Sequence, residues 1–267
     1  MNVLESFSLK DKVALVTGAG SPIGYGAQCA EALYEAGATV FIASRNQEKL
    51  AAYAARYPGM RYLPLDLEDE DSVKAIVPKI VQEAGHLDIL VNNAVARTAL
   101  AKWDLPMTDF DRSLRANASA LFALTRVASR QMVLQGNGGS IINIDSYMGI
   151  LGLNKSNYEG TGMQTDSDEW PSPAYHYEKG GMLNFTRWAA SILGPYHVRV
   201  NCVNPGGYCP PDNPQPEAFL KQYSARTQLG RMANDTDMKG IIVLLASDAS
   251  EYITGACIPV AGGYTAK

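Results

Sequence analysis

From residue 12 onward, the chain alternates short apolar runs with longer stretches in which apolar residues recur at helical spacing. The runs KVALVT (12–17), TVFIAS (39–44) and RYLPL (61–65) are typical of buried strands, whereas DEDSVKAIVPKIVQEA (69–84) is typical of an amphipathic helix. Alternation of this kind predicts βαβ units, in which helices cover both faces of a parallel sheet.

The same alternation continues through the rest of the chain, without an internal linker or a repeat. Long helices are predicted over about 108–135 and 174–193, and four further strands over 87–93, 139–145, 198–204 and 257–260. The pattern therefore predicts an α/β fold. We expect a single doubly wound domain of Rossmann type over residues 1–267, with about seven parallel strands.

Two stretches rich in Gly, Pro, Asn, Asp and Ser interrupt the pattern, at about 151–173 and 206–219. Both follow predicted strands at their carboxyl ends, which is where open α/β sheets bind ligands. Loops of this length inside a compact domain usually cover or bind a ligand, so we expect both to be substrate loops.

Composition narrows the functional classes. A hydrophobic content of 46% with 19% charged residues is that of an ordinary globular protein, and a net charge of −4 argues against binding to nucleic acid or an anionic membrane. The four cysteines form no C-x-x-C pair and no histidine lies at metal-ligand spacing, so we expect reduced thiols and no metal site. No signal peptide and no membrane-spanning run is visible, which predicts a soluble, cytoplasmic protein.

A glycine-rich stretch, TGAGSPIGYG (17–26), lies between the first predicted strand and the first helix, which is expected from Pro22 to Ala36. Glycines allow the backbone to turn tightly and to approach a pyrophosphate, while a helix N-terminus contributes N–H donors and a positive dipole end. The order strand, loop, helix favours a dinucleotide-binding loop over an ordinary βα turn.

Tyr175 and Lys179 stand four residues apart in SPAYHYEKGGM (172–182), and therefore on one face of the predicted helix. Together with the glycine loop, NNA (92–94) and NPGG (204–207), this Y-x-x-x-K pair resembles the short-chain dehydrogenases/reductases over nearly the whole chain. The resemblance implies an oxidoreductase with a nicotinamide cofactor. Within the family, the chain looks similar to enzymes of sugars and polyols, including gluconate 5-dehydrogenase-like members.

The resemblance implies four catalytic roles. Tyr175 matches the general acid/base, and Lys179 matches the lysine that stabilises the phenolate and binds the nicotinamide ribose. Ser146 matches the serine that orients the substrate oxygen, and Asn117 matches the asparagine that holds a proton-relay water. Three of these residues also have a structural alternative: Ser146 as a cap at a strand end, Asn117 as a polar position in a helix, and Tyr175 as a core residue.

The family's first motif, T-G-x-x-x-G-x-G, is matched by Thr17, Gly18 and Gly24, but Pro22 replaces its middle glycine. Proline removes an N–H group that could face a phosphate. We therefore expect Pro22 to begin the helix and the hydroxyl group of Ser21 to replace the lost donor.

The second predicted strand ends in Ser44, followed by Arg45, where NAD-preferring relatives carry an acidic residue for the adenosine ribose. Arg45 can instead clamp a 2′-phosphate, which favours NADP over NAD as the cofactor. The alternative is a solvated arginine paired with Glu48. Asp66 matches the aspartate that accepts a hydrogen bond from adenine, unless it caps the next helix, a role equally open to Asp69.

The family carries a glycine after N-N-A, and this chain has Val95 there, which we expect in an ordinary β conformation. Pro210 stands near the position of a threonine found in many members, so Tyr208 is expected to line the nicotinamide pocket instead. The other cofactor contacts implied by the resemblance are those of Gly18, Ser21, Pro22, Ile23, Gly24, Leu67, Asn93, Ala94, Pro205 and Gly206.

The first substrate loop is acidic: Lys155 stands against Glu159, Asp166, Asp168 and Glu169, with Tyr158 and Trp170 beside them. An acidic lid should repel phosphorylated or acyl-carrier substrates, which favours a neutral hydroxylated substrate such as a sugar, a polyol or a cyclic alcohol. The alternatives are a 3-oxoacyl thioester reductase and a non-catalytic, cofactor-sensing protein. The resemblance also implies a homo-oligomer, either a dimer or a tetramer.

Overall fold

A computed structural model of the chain describes residues 2–96, 103–159, 161, 173–212 and 214–266. Within these residues, seven strands form one parallel sheet in the order β3-β2-β1-β4-β5-β6-β7. The strands are β1 (Val13–Thr17), β2 (Thr39–Ser44), β3 (Arg61–Pro64), β4 (Ile89–Asn92), β5 (Gly139–Ile144), β6 (Val198–Pro205) and β7 (Cys257–Val260). The predicted doubly wound α/β fold is confirmed.

Helices connect the strands and cover the sheet. They are α1 (Tyr25–Glu35), α2 (Gln47–Ala54), α3 (Glu70–Ala84), α4 (Met107–Leu114), α5 (Ala120–Gln135), α6 (Ala174–Leu193), α7 (Glu217–Arg226) and α8 (Lys239–Ala246). A π-helical segment, Arg115–Ser119, joins α4 to α5. The helices predicted over about 108–135 and 174–193 are therefore present, the first with a wide turn in its middle.

The side chains of β1 alternate between two hydrophobic clusters, as expected for a strand that is buried on both faces. Val16 packs on one face with α1 and α8, represented by Leu33 and Ile242. Leu15 packs on the other face with α3, α5 and α6, represented by Ile80. The sheet is therefore covered by helices on both sides.

The strand order reverses beside β1, which pairs with β2 on one side and with β4 on the other. A reversal of this kind opens a crevice at the carboxyl edge of the sheet, because the flanking connections run to opposite faces. The ends of β1, β2, β4 and β5 all meet at this edge, and the glycine loop and Ser146 follow two of them.

Two expectations about local structure need correction or completion. The first helix begins at Tyr25 and not at Pro22, because residues 21–24 form bends and Gly24 has a φ of +119°, which is incompatible with a helix. Helix α7 also occupies the end of the predicted loop 206–219. Most of the predicted loop 151–173, including Asp166, Asp168, Glu169 and Trp170, lies outside the described residues.

Three further findings concern the described part of the chain only. Its four cysteines are free thiols. None of its helices combines the length and the apolar character that crossing a membrane requires. It holds no cluster of three or more His, Cys, Asp and Glu side chains able to hold a metal ion.

Gly26 allows α1 to lie directly against the glycine loop. A β-carbon at this position would lie 2.4 Å from the carbonyl oxygen of Gly18 and 2.5 Å from the side-chain nitrogen of Asn93. Both distances are far below van der Waals contact, so any larger residue must push the helix away from the loop.

We expect Gly26→Ala to destabilise the protein by about 2 kcal/mol, the usual cost of overpacking a tight contact. Gly240→Ala is the matched control, since a β-carbon there meets open space in α8 and should leave stability unchanged or slightly higher. Urea unfolding of both variants measures the difference. Equal free energies of unfolding for the two variants would show that the close approach of α1 has no energetic weight.

Candidate active site

A cleft of about 700 Å³ opens at the carboxyl edge of the sheet. It brings together most of the residues proposed from the sequence: Gly18, Ile23, Gly24, Ser44, Arg45, Asp66, Leu67, Asn93, Ala94, Tyr175, Lys179 and Tyr208 all line it. One cleft thus joins the ends of β1, β2, β4 and β5 to the start of α6. Its size and shape suit an extended ligand that crosses the edge of the sheet.

The other proposed residues lie around this cleft. Pro22 lines a smaller adjoining cleft with Ile23 and Gly24, and the hydroxyl oxygen of Ser21 accepts a hydrogen bond from the N–H of Ile23 at 3.3 Å. Pro205 ends β6, and the carbonyl oxygen of Gly206 accepts a hydrogen bond from the hydroxyl group of Tyr25 at 2.9 Å. Asn117 lines a second cavity, which shares Lys179 with the cleft, and Ser146 directly follows β5, as described below.

Hydrogen bonds lock the loops after β1 and β4 together. The hydroxyl oxygen of Thr17 accepts hydrogen bonds from the N–H groups of Asn93 and Ala94, both at 3.1 Å, and the Asn93 side chain donates to the carbonyl oxygen of Thr17 at 2.9 Å. Gly18 has a φ of +75° and lies so close to Ala94 that a β-carbon would come within 2.7 Å of its Cα. The floor of the cleft is therefore pre-formed.

Val95, which replaces a family glycine, lines the cleft directly after this floor. Among the described residues, Asp11 and His197 are the non-glycine residues with positive φ, so the backbone of Val95 is not in the left-handed region. The position can therefore carry a β-branched side chain without strain.

At the adenosine end expected for a dinucleotide, the Arg45 side chain is 64% exposed and its Nη1 lies 3.8 Å from Oε1 of Glu68. Glu68 itself accepts two hydrogen bonds from Arg112, at 2.8 and 3.2 Å, and this pairing holds the pKa of Glu68 below its ordinary value. The ion pair seen for Arg45 therefore involves Glu68, and not Glu48 as the alternative from the sequence supposed. At 3.8 Å it is a loose contact that leaves the guanidinium facing solvent.

Asp66 lies beside this pair. Its Oδ1 accepts a hydrogen bond from the N–H of Glu68 at 3.0 Å, whereas the cap of α3 is Asp69, which accepts from the N–H of Asp71 at 2.9 Å. The capping role thus belongs to Asp69, and Asp66 remains at the cleft.

At the other end of the cleft, Tyr175 and Lys179 lie in the first turns of α6. The Nζ atom of Lys179 is 5.7 Å from the ring centroid of Tyr175. Tyr175 is 36% exposed, whereas Lys179 is only 3% exposed and its Nζ donates a hydrogen bond to the carbonyl oxygen of Ile144 at 2.7 Å. The phenol therefore faces the cleft and the ammonium lies beneath it.

Ser146 is buried directly after β5, where its hydroxyl oxygen accepts a hydrogen bond from the N–H of Met148 at 3.1 Å and caps the 3-10 turn Tyr147–Gly149. The capping alternative is thus seen. It does not exclude the proposed role, because a hydroxyl group that accepts one hydrogen bond still has a proton to donate.

Asn117 lies in the π-helical segment and lines a cavity of about 230 Å³ behind Lys179. Its side chain is held on both sides: Oδ1 accepts from the N–H of Ala96 at 2.8 Å, and Nδ2 donates to Oε2 of Glu178 at 3.0 Å. Single wide turns of this kind are frequent at functional sites, since they turn a side chain out of the regular helical pattern.

Reasoning from the sequence missed two buried acids beside Lys179, namely Asp145 and Glu178. Asp145 is 3% exposed, its Oδ2 accepts a hydrogen bond from Asn204, and Gly149 leaves room for it, since a β-carbon there would lie 2.5 Å from Oδ2. Burial raises its pKa from 3.8 to about 6, although Lys179 and Asn204 act in the opposite direction. The available signal was an acidic residue at the end of an otherwise apolar strand.

Burial raises the pKa of Asp145 but lowers the pKa of Lys179, because it disfavours the charged form of each group. The negative charges of Asp145 and Glu178 raise the pKa of Lys179 and so oppose the effect of burial. Both carboxyl groups are themselves disfavoured as anions by burial. The three groups therefore form a coupled cluster, in which each charge depends on its neighbours.

The pKa of Asp145 predicts how stability depends on pH. Because the folded state keeps this proton up to about pH 6 and the unfolded state loses it near pH 3.8, the folded state binds more protons in between, and stability falls as pH rises through this window. Asp145→Asn removes the ionisation. We expect it to exceed the wild type in free energy of unfolding at pH 8, by on the order of 2 kcal/mol, and to match it near pH 4.

Urea unfolding at the two pH values provides the measurement, and Asp111→Asn, which removes an exposed carboxylate on α4, provides the matched control. A variant less stable than the wild type at pH 8 would mean that the attraction between Asp145 and Lys179 outweighs the cost of burying the carboxylate.

Comparison with known proteins agrees with this geometry. A family profile described as "Enoyl-(Acyl carrier protein) reductase" matches residues 18–265. The 2-dehydro-3-deoxy-D-gluconate 5-dehydrogenase of Escherichia coli (strain K12) is 32% identical over 271 residues, covering 99% of this chain and 100% of the relative. The 3-oxoacyl-[acyl-carrier-protein] reductase FabG of Thermotoga maritima is 33% identical over 262 residues, covering 96% and 98%.

Among solved structures, a gluconate 5-dehydrogenase from Burkholderia cenocepacia J2315 was crystallised with NADP and tartrate. Its TM-score against this fold is 0.85, at 27% identity and with 100% of both chains covered. The fold, the profile and the relatives agree with the motifs at the glycine loop and on α6. The chain therefore belongs to the short-chain dehydrogenase/reductase family.

Proposed function

We propose that this oxidoreductase interconverts a secondary alcohol and a ketone on a neutral, hydroxylated small molecule such as a sugar, a polyol or a cyclic alcohol. The observation that carries the proposal is the placement of Tyr175 above the buried Lys179, in the same cleft as the glycine loop. A bound nicotinamide cofactor supplies or accepts the hydride.

The chain's own residues handle the proton and the orientation of the substrate. Tyr175 gives a proton to the carbonyl oxygen in the reductive direction and takes it back in the oxidative direction. Lys179 favours the phenolate form of Tyr175 by its positive charge. Ser146 donates its hydroxyl proton to the same substrate oxygen, and Asn117 holds the water through which the pair exchanges protons with solvent.

The cleft fits a dinucleotide at both of its ends. A β-carbon at Gly24 would have no neighbour within 4 Å. The loop therefore presents its backbone to open space, as binding of a pyrophosphate requires. Asp66 and Arg45 lie at the end expected for adenosine, and the exposed guanidinium of Arg45 favours NADP over NAD.

The lining of the cleft favours a polar, uncharged substrate. Tyr25, Tyr208 and Gln215 line the cleft together with Pro210, and their hydroxyl oxygens and amide group can form hydrogen bonds to a polyol. Among the described residues that line the cleft, Arg45 and Lys179 are the basic ones, and Arg45 lies at the far end. Lys179, the basic lining residue beside Tyr175, is buried, so the described lining offers an acidic acyl carrier little exposed positive charge at this end.

A 3-oxoacyl thioester reductase is the second candidate. The family description and the relative from Thermotoga maritima both refer to acyl-carrier-protein substrates, which favours it independently of the cleft.

We also propose a homo-oligomer that works in the cytoplasm. Exposed aromatic residues lie along α5 and α6, where Phe122, Phe185 and Trp188 form a chain of ring contacts with centroid distances of 6.2 and 6.1 Å. Phe122 and Trp188 are 44% and 55% exposed, and large exposed apolar surface of this kind is typical of subunit contacts.

The function is tested by following NADP reduction with a panel of sugars, polyols, cyclic alcohols and hydroxyacyl thioesters. We expect turnover of a hydroxylated compound, reduced at least about 100-fold by Tyr175→Phe, since the phenol carries the proton transfer. Tyr252→Phe is the matched control, because Tyr252 is fully exposed and should keep full activity. Turnover of thioesters alone would move the assignment to the second candidate, and binding of nucleotide without any turnover would favour a cofactor sensor.

The cofactor preference is tested with Arg45→Gln. Removing one charge-assisted contact to a 2′-phosphate should lower kcat/KM for NADP by roughly 10- to 100-fold and leave kcat/KM for NAD nearly unchanged. Lys49→Gln removes a nearby exposed cation on α2 that does not line the cleft and serves as the control. An equal loss with both cofactors, or none with either, would contradict the role of Arg45 as the phosphate clamp.

A further inference from the structure

A second buried acid, Glu178, lies immediately before Lys179 on α6 and has no role in the proposed reaction so far. It is 7% exposed. Its Oε1 accepts a hydrogen bond from the hydroxyl group of Ser113 at 2.5 Å, and its Oε2 accepts one from Nδ2 of Asn117 at 3.0 Å. The carboxylate therefore uses both of its oxygens on the helical segment opposite.

These two contacts hold the junction between α4 and the π-helical segment, where the chain departs from regular α-helical geometry. Ser113 lies near the end of α4 and Asn117 lies in the π-helical segment that follows. The amide of Asn117 is held from the other side by Ala96, through hydrogen bonds of 2.8 and 3.0 Å to its N–H and carbonyl groups. A glutamine at position 178 would carry an NH2 group in place of one of these oxygens, so one of the two donors would lose its acceptor.

The charge of Glu178 also reaches Lys179. Asn117, Glu178 and Lys179 line the same cavity of about 230 Å³, whose other walls are mainly apolar. In such surroundings charges are weakly screened. Lys179 lowers the pKa of Glu178 against the effect of burial, and Glu178 in turn raises the pKa of Lys179.

Other ionisable groups face this pair from the neighbouring elements. Asp145 at the end of β5 and Cys202 on β6 act on Lys179. Tyr25 on α1 and Tyr147 in the turn after β5 interact with Tyr175. Asp145 is the carboxyl group among these neighbours. Of the two acids, Glu178 is the one that contacts Asn117.

We propose that Glu178 is a positioning residue of this site: its carboxylate holds the amide of Asn117 in the π-helical turn, and its negative charge sets the pH range over which Tyr175 and Lys179 exchange protons. The inference rests on the proposed function for its catalytic meaning. Its effect on Tyr175 can be measured without any substrate.

The sign of the expected effect follows from electrostatics. A nearby negative charge opposes the loss of a proton from a phenol and from an ammonium group alike. Removing it therefore moves both titrations to lower pH. A residue that only supports the fold would change stability or kcat at every pH without moving either titration.

The test uses full-length protein labelled with ¹³Cζ-tyrosine, in which the Tyr175 signal is assigned by its loss in Tyr175→Phe. We expect the titration midpoint of Tyr175 to fall by about one pH unit in Glu178→Gln, the size of shift that a neighbouring buried charge produces, since the two residues lie three apart on α6. Glu178→Asp keeps the charge and should keep most of the wild-type midpoint. Glu251→Gln removes an exposed carboxylate remote from the cleft and should leave the midpoint unchanged.

A second uncharged variant, Glu178→Met, is of similar length and keeps the test valid if the glutamine variant fails to fold. Where a substrate is turned over, the pH profile of kcat should move to lower pH with the NMR midpoint, while KM for NADP stays within about twofold. An unchanged midpoint in a folded, uncharged variant would overturn the inference. Absence of turnover by the wild type would instead contradict the proposed function, and the midpoint would still decide the role of Glu178.

Discussion

The buried ammonium group of Lys179 is the constraint on which the rest of the site depends. A charge removed from water must be solvated by the protein, or it loses its proton. The carbonyl oxygen of Ile144 accepts from it at 2.7 Å, and two carboxyl groups lie nearby. Ile144 ends β5 and Asp145 follows it, whereas Lys179 belongs to α6, so these partners meet the lysine only where α6 packs against the edge of the sheet. The packing of one helix therefore decides whether the lysine can remain charged.

The same cluster is costly for stability. Burial disfavours the charged forms of Asp145, Glu178 and Lys179, and a buried ionic cluster rarely stabilises a fold as well as apolar side chains of the same size would. A cluster of two acids around one lysine is therefore poorly explained as a device for stability. It is well explained as a device that fixes a charge next to Tyr175. The apolar side chains on both faces of the neighbouring strands stabilise the fold and offset the free energy lost by burying these charges.

Prediction from the sequence succeeded where the pattern repeats along the chain. All seven strands were placed, because a strand buried on both faces leaves a continuous apolar run such as TVFIAS. The start of α1 was wrong, since Pro22 is compatible with a helix but the positive φ of Gly24 is not visible in a sequence. The π-helical turn and the contacts of Glu178 were also missed. They depend on how α4, α5 and α6 lie against one another, and a single helix pattern carries no information on that distance. The proposed roles of the site residues remain predictions, although the cleft brings most of these residues together.

The two ends of the cleft carry different electrostatics. Arg45 and Glu68 form an exposed pair beyond β2, whereas Lys179 and its two acids are buried beyond β5. In the sheet, β2 and β5 are separated by β1 and β4, which places them about 14 Å apart at the usual strand spacing. This exceeds the screening length of about 8 Å at physiological salt, so the exposed charges at one end act weakly on the buried ones at the other. The proposed role of Arg45 in the choice between NADP and NAD is therefore electrostatically independent of the proton transfer proposed for Tyr175 and of the proposed effect of Glu178 on it.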